Sequence, residues 1–308
     1  MRPTRVLLLC GGASDEHEVS LSSARSVLRA AGERLIVTPL VIDRQGRLLP
    51  SAASRRALGG SSPAPSPIPA LHPSSEEHLV TEGVGTEGLG TDSVGTDDAA
   101  QSLGQLEGAP FDVVFPLLHG PYGEDGAVQG MLKLMGLPFV GSDVLGSAVG
   151  MDKLMMKAVF AAHGLPQVAY RGVLRQRWRA EPDAVLAELA DLGLPLFVKP
   201  ANLGSSVGIS RADDAAGLRR ALDEAARYDR RIIVEAARAR PRELEVGVLG
   251  NDAPEASPVG EIGYAGAFYD YDTKYREGRA TLTLPARIPP EISERCRAMA
   301  LAAFRAID

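Results

Sequence analysis

The sequence VLLLC (Val6–Cys10), followed at once by GGAS (Gly11–Ser14), decides the fold of the N-terminal part of the chain. An apolar run that ends in a glycine turn is typical of a buried strand. After the turn we predict a helix that is capped by Asp15 and runs to about Ala31, and then a second strand over Leu35–Ile42. Strands that alternate with helices predict a parallel sheet whose two faces are both covered.

The composition of the chain limits its domain count and its class. At about 150 residues per domain, 308 residues predict two domains or three small ones. The formal net charge of −6, without any basic run, argues against nucleic acid or an anionic membrane as a partner. Cys10 and Cys296 are too few for a disulfide framework, and no apolar run approaches the roughly 18 residues of a transmembrane helix. We therefore expect a cytoplasmic protein.

Residues 51–108 differ in character from the rest of the chain. A stretch rich in Pro and Ser is followed by five-residue repeats of the type TEGVG (Thr81–Gly85). Few residues of such a segment can be buried to offset the entropy lost on ordering, so we predict a disordered insertion. A dedicated partner-binding arm is the alternative.

A lysine followed by small residues is the sharpest local signal. Lys199 ends an apolar strand, and the loop ANLGSSVG (Ala201–Gly208) follows it. Backbone N–H groups of such a loop can approach phosphate oxygens closely, because no bulky side chain obstructs them. It is not a Walker A loop, which requires G-x-x-x-x-G-K and then Ser or Thr. An ordinary hairpin turn with a solvated lysine is the alternative.

Two acids and a histidine follow strands at places where an α/β sheet binds ligands. Glu16 and Glu18 lie about 200° apart on a helix, so at most one can face a cleft. Glu18 suits the positive end of the helix, which leaves Glu16 as the candidate for binding an amine. His119, beside several glycines, is either a structural hydrogen-bonding group or a site residue.

Two further segments have two interpretations each. We predict one long helix over Asp143–His163, capped by Ser142, which carries Lys153 and Lys157 on one face. These lysines either form a solvated surface or neutralise phosphate. The aromatic stretch FYDYDTKY (Phe268–Tyr275) is either a lid that closes over a site or an edge strand.

Six stretches, taken in order, resemble the D-alanine–D-alanine ligases of the ATP-grasp superfamily. They are GGASDEHEVS (Gly11–Ser20), HGPYGEDGAVQG (His119–Gly130), MDKLMMK (Met151–Lys157), VKPANLGSSVGIS (Val198–Ser210), RELEVGVLGN (Arg242–Asn251) and FYDYDTKY (Phe268–Tyr275). The resemblance covers the chain from Arg5 to about Pro285, apart from the insertion. Each stretch alone is a modest signal, but six in sequence are highly specific.

The resemblance implies a combined α/β and α+β fold. It implies an N-terminal parallel-sheet α/β domain over residues 1–141, a central ATP-grasp lobe over 142–235 and a C-terminal ATP-grasp lobe, incomplete, over 236–308. ATP would bind between the two lobes. The family phosphorylates the carboxylate of one D-alanine, and the amine of a second D-alanine attacks the acyl phosphate in peptidoglycan precursor synthesis. A homodimer is also implied.

The resemblance assigns roles to individual residues. Glu16 would hold the ammonium group of the first D-alanine in a hydrogen-bond network with Ser205 and Tyr275. His119 would lie near the reacting carboxylate. Nucleotide binding would involve phosphate-neutralising lysines, hydroxyls of the small-residue loop, an acid beside adenine and an acid beside ribose: Lys153, Lys199, Lys274, Ser205, Ser206, Glu235 and Glu243.

The resemblance also implies Mg²⁺, but places its carboxylate ligands beyond Asp308. We therefore predict no metal ligand within the 308 residues, and expect these residues by themselves to turn over D-alanine and ATP negligibly. Two alternatives remain. One is a D-alanine–D-lactate ligase, against which the pair Lys274 and Tyr275 argues. The other is a non-catalytic protein that binds nucleotide weakly or not at all.

Overall fold

The computed structural model describes residues 2–59, 111–264 and 280–307. Most of the predicted insertion lies outside the described residues, and so does FYDYDTKY (Phe268–Tyr275) with Lys274 and Tyr275. Within the described ranges, no helix is long and apolar enough to cross a membrane. By its internal contacts the chain divides into two units, Met1–His119 with Leu132–Val140, and Gly120–Met131 with Gly141–Asp308.

A three-stranded parallel sheet organises the first unit. The first elements of the chain are β1 (Thr4–Gly11), α1 (His17–Ala30), β2 (Leu35–Ile42), α2 (Ser51–Ala57), β3 (Val113–Pro116) and α3 (Ala127–Leu134). The strand order is β2-β1-β3. Both pairings are parallel, and this parallel arrangement was predicted. The central strand β1 is buried continuously from Val6 to Gly11, because neighbours cover both of its edges and both of its faces.

Two predictions for this unit are corrected. Residues 51–57, which we assigned to the disordered insertion, form α2, because the buried Ser54 hydroxyl ties this segment to β2 by accepting from the Val41 N–H (3.0 Å). Asp15 does not cap α1: the cap position is Glu16, whose side chain makes no capping hydrogen bond. The turn extends one residue further because the Ser14 carbonyl accepts from the His17 N–H (3.2 Å).

The second unit contains two helices where we predicted one. These are α4 (Val144–Met151) and α5 (Lys153–Ala162). Asp152 is extended between them, and its carboxylate accepts hydrogen bonds from the first N–H groups of α5, at Leu154 and Met155. A capping aspartate starts a new helix instead of continuing the old one, which is why the single-helix prediction is wrong. Asp143, rather than Ser142, caps α4.

An antiparallel sheet forms the centre of the second unit. The elements are β4 (Tyr170–Leu174), α6 (Arg175–Ala180), α7 (Pro182–Leu189), β5 (Leu196–Pro200), β6 (Ser210–Ala212), α8 (Ala215–Tyr228) and β7 (Arg231–Ala236). The strand order is β4-β7-β5-β6. One face of the sheet, with Val198, Ile232 and Val234, packs against the apolar side of α8 in a buried core. The other face carries polar residues.

Short strands and a long helix complete the second unit. They are β8 (Glu243–Glu245), β9 (Val248–Leu249), β10 (Glu255–Ala256), β11 (Gly260–Tyr264), β12 (Ala280–Thr283) and α9 (Pro290–Ile307). The strands pair antiparallel as β12-β11-β8 and β10-β9. Helix α9 has the bounds that we predicted and contacts α4 and α5.

The turn after β1 requires glycine. Gly11 has φ +88°, and a Cβ there would lie 2.2 Å from the carbonyl oxygen of Ile42. Its N–H donates to the Ser20 hydroxyl (2.7 Å), which ties the end of β1 to α1. Both the left-handed conformation and the backbone contact exclude a larger residue.

We predict that Gly11→Ala lowers the free energy of unfolding by at least about 2 kcal/mol, because strain and a backbone clash add. Urea unfolding followed by far-UV circular dichroism measures the change. Gly32→Ala is the matched control, since a Cβ at Gly32 would meet nothing within 4 Å. Equal effects of the two substitutions would contradict the prediction.

Candidate active site

The first candidate site lies at the carboxyl ends of the neighbouring strands β1 and β3, the edge where open parallel sheets bind ligands. Here the chain after β3 returns to the turn that follows β1. The Ser14 hydroxyl donates to the carbonyl of His119 (2.7 Å), and Nε2 of His119 lies 3.3 Å from the Ser23 hydroxyl. The first contact joins the His119 backbone to the turn after β1, and the second places the His119 ring beside α1.

The two acids after β1 differ in burial. Glu16 is buried and 7% exposed, whereas Glu18 is exposed and pairs with Arg44 at 3.4 Å. Because the two side chains lie about 200° apart around the helix, Glu16 points inward and Glu18 points to solvent. Of the two acids, Glu16 is therefore the one whose side chain lies inside this site.

Sequence reasoning missed two polar residues that build this site. His17 Nδ1 lies 2.7 Å from the carbonyl oxygen of Gly12, and the Ser20 hydroxyl donates to the carbonyl of Leu117. Both side chains are buried. Their spacing of three residues places them on one helix face with the buried Ala24, and that periodicity was a signal available in the sequence.

The second candidate site is the loop between β5 and β6. Ser205 and Ser206 have φ values of 47° and 63°, a left-handed conformation that non-glycine residues rarely adopt. Gly208 also has positive φ (68°), and a Cβ there would lie 2.8 Å from Pro200 and from the Tyr228 ring. Backbone strain of this kind concentrates at ligand-binding segments, where surrounding contacts maintain it.

Asp229 holds the beginning of this loop. Its carboxylate accepts from the backbone N–H and from the side-chain amide of Asn202, both at 2.9 Å, and from the Arg231 N–H at 3.0 Å. Burial acts to raise the pKa of Asp229, but these hydrogen bonds outweigh it and the pKa lies below its usual value. A charged acceptor therefore fixes the loop to the start of β7.

Lys153 is the first residue of α5 and reaches the same loop. Its ammonium group donates to the carbonyls of Leu203 and Ala201 (3.4 Å for the latter). Burial, together with the positive charge of Lys199, lowers the pKa of Lys153 to about 8. Lys153 therefore contacts the strained loop directly, and Lys199, whose positive charge acts on Lys153, lies at the end of the strand that leads into this loop. Two positive charges near one loop suit a polyanion.

Lys199 shares a buried carboxylate with a third lysine. The two oxygens of Glu235 lie 2.5 Å from Lys199 Nζ and 2.8 Å from Lys157 Nζ. Burial acts to raise the pKa of Glu235, but the charge of Lys199 and the hydrogen bonds from both lysines hold it below its usual value. Glu235 is thus ionised and lies within β7, on the polar face of the sheet.

Glu243 lies apart in strand β8. Its carboxylate accepts a hydrogen bond from the Tyr264 hydroxyl (3.1 Å) on β11. Burial, and then this hydrogen bond, raise the pKa of Tyr264. Of the predicted site residues in the second unit, Lys199 pairs with Glu235, and the charges of both act on Lys153, which contacts the loop that contains Ser205 and Ser206.

A metal ion does not fit the described residues. They contain no cluster of three or more His, Cys, Asp or Glu side chains that could hold one. Asp125 and Asp152 line a common cavity of about 420 Å³. Both carboxylates already accept backbone hydrogen bonds, however, and Asp152 also pairs with Arg231 at 2.6 Å.

Comparisons with known proteins match both parts of the chain to one family. A family model described as the D-ala D-ala ligase N-terminus matches residues 5–142, and one described as the D-ala D-ala ligase C-terminus matches residues 159–308. The chain is 53% identical over 306 residues to a D-alanine–D-alanine ligase of Deinococcus radiodurans. The alignment covers 99% of this chain and 81% of the relative.

Solved structures show the same likeness. The D-alanine–D-alanine ligase from Coxiella burnetii aligns with a TM-score of 0.74 and 31% identity, covering 100% of this chain and 78% of that one. The VanG D-Ala:D-Ser ligase from Enterococcus faecalis aligns with a TM-score of 0.73 and 27% identity, covering 99% of this chain and 83% of that one. The fold class is therefore that of the ATP-grasp ligases. The chain belongs to the D-alanine–D-alanine ligase family.

Proposed function

We propose that this protein uses ATP to join two molecules of D-alanine, through an acyl phosphate, for peptidoglycan precursor synthesis. The observation that carries the proposal is that Lys153 contacts the strained loop of Ser205 and Ser206, while the positive charge of Lys199, at the end of the preceding strand, acts on Lys153. A family member needs such a group of charges to bind the triphosphate of ATP, and nothing in the comparisons favours a different reaction class.

Phosphate transfer is the step in which the second unit acts. Negative charge spreads over the transferred group, and fixed positive charges stabilise it. In our proposal the ammonium groups of Lys153 and Lys199 supply that charge, and the loop N–H groups and the Ser206 hydroxyl bind further phosphate oxygens. Because these groups are already held in place, they need not reorganise during the reaction.

Amino acid binding is the step in which the first unit acts. The buried carboxylate of Glu16 would hold the ammonium group of the first D-alanine, and His119 would lie beside its carboxylate. Binding an amine to a buried carboxylate excludes water from the pair and orients the substrate. Glu18, which is exposed, has no role in this proposal.

Further assignments rest on the resemblance alone. They are a hydrogen-bond network of Glu16 with Ser205 and Tyr275, phosphate contact by Lys274, adenine recognition beside Glu235 and ribose recognition by Glu243. Cytoplasmic location and a homodimer are proposed on the same basis. The resemblance also implies Mg²⁺, but the described residues offer it no ligand set, so no step above depends on the metal.

The experiment that tests the function uses protein expressed from the complete gene. With ATP and D-alanine we expect release of phosphate and formation of D-alanyl-D-alanine, detected by mass spectrometry. D-Lactate and D-serine, offered as the second substrate, test the related specificities. Preferential use of either would correct the substrate, and absence of ATP-dependent product would contradict the proposal.

We predict that Glu16→Gln raises KM for D-alanine by roughly 10- to 100-fold, because a charge-assisted hydrogen bond contributes about 1.5–3 kcal/mol. ATP binding should change far less. Glu18→Gln is the matched control and should leave both constants unchanged. A larger effect of Glu18→Gln on KM would show that the acids have the opposite roles.

We predict that ATP binding to the free protein weakens as the pH rises through about 8, the pKa of Lys153. Below that pH the side chain is protonated and attracts phosphate, and above it the charge is lost. The loss of affinity should reach about 10-fold, the size of one charge-assisted interaction. Calorimetry from pH 6.5 to 9.5 measures it, and Lys153→Met should remove this dependence. An unaltered profile in that variant would assign the titration to another group.

A further inference from the structure

Lys157 is a buried lysine that the proposed reaction does not use. The residue as a whole is 9% exposed, and its ammonium group contacts a carboxylate oxygen of Glu235 at 2.8 Å. It also lies over the ring of Tyr170, 5.1 Å from the centroid. Burying a lysine is costly unless its charge is compensated, so this position calls for a physical reason.

The register of the central sheet explains why Lys199 and Glu235 meet. Phe197 on β5 pairs directly with Glu235 on β7, and Lys199 lies two residues further along β5. Residues two apart on a strand share a face, so Lys199 and Glu235 are diagonal neighbours within reach of long side chains. The opposite face is the apolar core, which leaves both charges on the polar face.

Helix α5 packs on that polar face and brings Lys157 to it. Gly172 is opposite Ile233 in the register, and a Cβ there would lie 3.2 Å from the Leu154 side chain of α5. At the start of the helix, Asp152 pairs with Arg231, the first residue of β7, at 2.6 Å. The same strand thus anchors α5 through Arg231 and receives Lys157 at Glu235.

The two lysines around Glu235 differ in access. The Lys199 side chain is 26% exposed, whereas those of Lys157 and Glu235 are 11% and 9% exposed. The ammonium group of Lys157 is enclosed by the carboxylate on one side and the Tyr170 ring on another. Lys199 is therefore the lysine that an incoming anion reaches, and Lys157 is the interior one.

Charge balance gives the interior lysine a role. Glu235 with Lys199 alone would form a neutral pair, which holds the ammonium group in place but cancels its attraction for phosphate at longer range. With Lys157 present the cluster carries one net positive charge. In a site of low dielectric constant this difference is large, because water screens it poorly.

We propose that Lys157 is a positioning residue that compensates Glu235, so that this carboxylate orients Lys199 toward the triphosphate without cancelling its charge. The inference rests on the proposed function, because it needs ATP as the ligand of Lys199. It distinguishes Lys157 from Lys153 and Lys199, which meet the nucleotide themselves.

The first test measures ATP affinity by calorimetry, and KM values, with protein from the complete gene. Lys157→Met should weaken ATP binding by about 10- to 100-fold, the range for a charge-assisted interaction. KM for D-alanine should not change. Lys157→Arg, which keeps the charge, should recover most of the affinity. Lys133→Met removes the same charge from the exposed face of α3 and is the matched control.

The second test combines Lys157→Met with Glu235→Gln. If Lys157 acts through Glu235, removing the lysine in the Glu235→Gln background should have little further effect on ATP affinity. Additive effects would mean that Lys157 contacts the nucleotide directly, and would overturn the proposal. This double variant also removes the buried carboxylate that loses one of its two lysine partners in Lys157→Met, so it stays informative if the single variant folds poorly.

The outcomes separate this proposal from the function on which it rests. Wild-type protein that fails to bind ATP would contradict the proposed function. Wild-type protein that binds ATP, with a Lys157→Met variant of equal affinity, would overturn the positioning role alone. Failure of Lys157→Arg to recover affinity, in a folded protein, would also overturn it, since the charge would then not be the property that matters.

Discussion

A buried carboxylate must be compensated, and in this protein the compensation of Glu235 connects three elements. Its oxygens meet Lys199 from β5 and Lys157 from α5, while Glu235 itself belongs to β7. Removing one member of such a buried cluster costs far more stability than removing one member of an ion pair on the surface. The positions of the helix, of both strands and of the loop after Lys199 are therefore linked by one electrostatic requirement.

In the antiparallel sheet, successive side chains of each strand point to opposite faces, so one face forms the hydrophobic core and the other carries the charged residues. On β5, Val198 is fully buried in the apolar core, and its neighbour Lys199 points to the opposite face. Helix α8 covers the first face and α5 meets the second. Because successive side chains alternate, a strand of five residues contributes to the hydrophobic core and to the charged site at once.

Left-handed backbone marks both candidate sites. In the first unit it occurs at Gly11 and Gly12, where glycine permits it without strain. In the second unit it occurs at Ser205 and Ser206, where side chains make it costly. Hydrogen bonds to Asp229 and from Lys153 maintain the second loop, so its conformation depends on residues distant in sequence. Both loops follow the ends of strands, β1 in the first unit and β5 in the second.

By itself, the sequence determined the parallel strands of the first unit, the order of the motifs, the family and the bounds of α9. Apolar runs, glycine turns and helical periodicity are local, and local patterns specify local structure. It also indicated that Glu16, rather than Glu18, faces inward. The break at Asp152 was not predicted, because the sequence alone does not distinguish an aspartate that caps a helix from one within a helix. The pairing of Asp152 with Arg231, which distinguishes them, exists only in the folded structure. Only the tertiary structure decided that Lys157 and Lys199 share Glu235, since charge compensation in a buried site depends on which residues, from three separate segments, the packing places within contact.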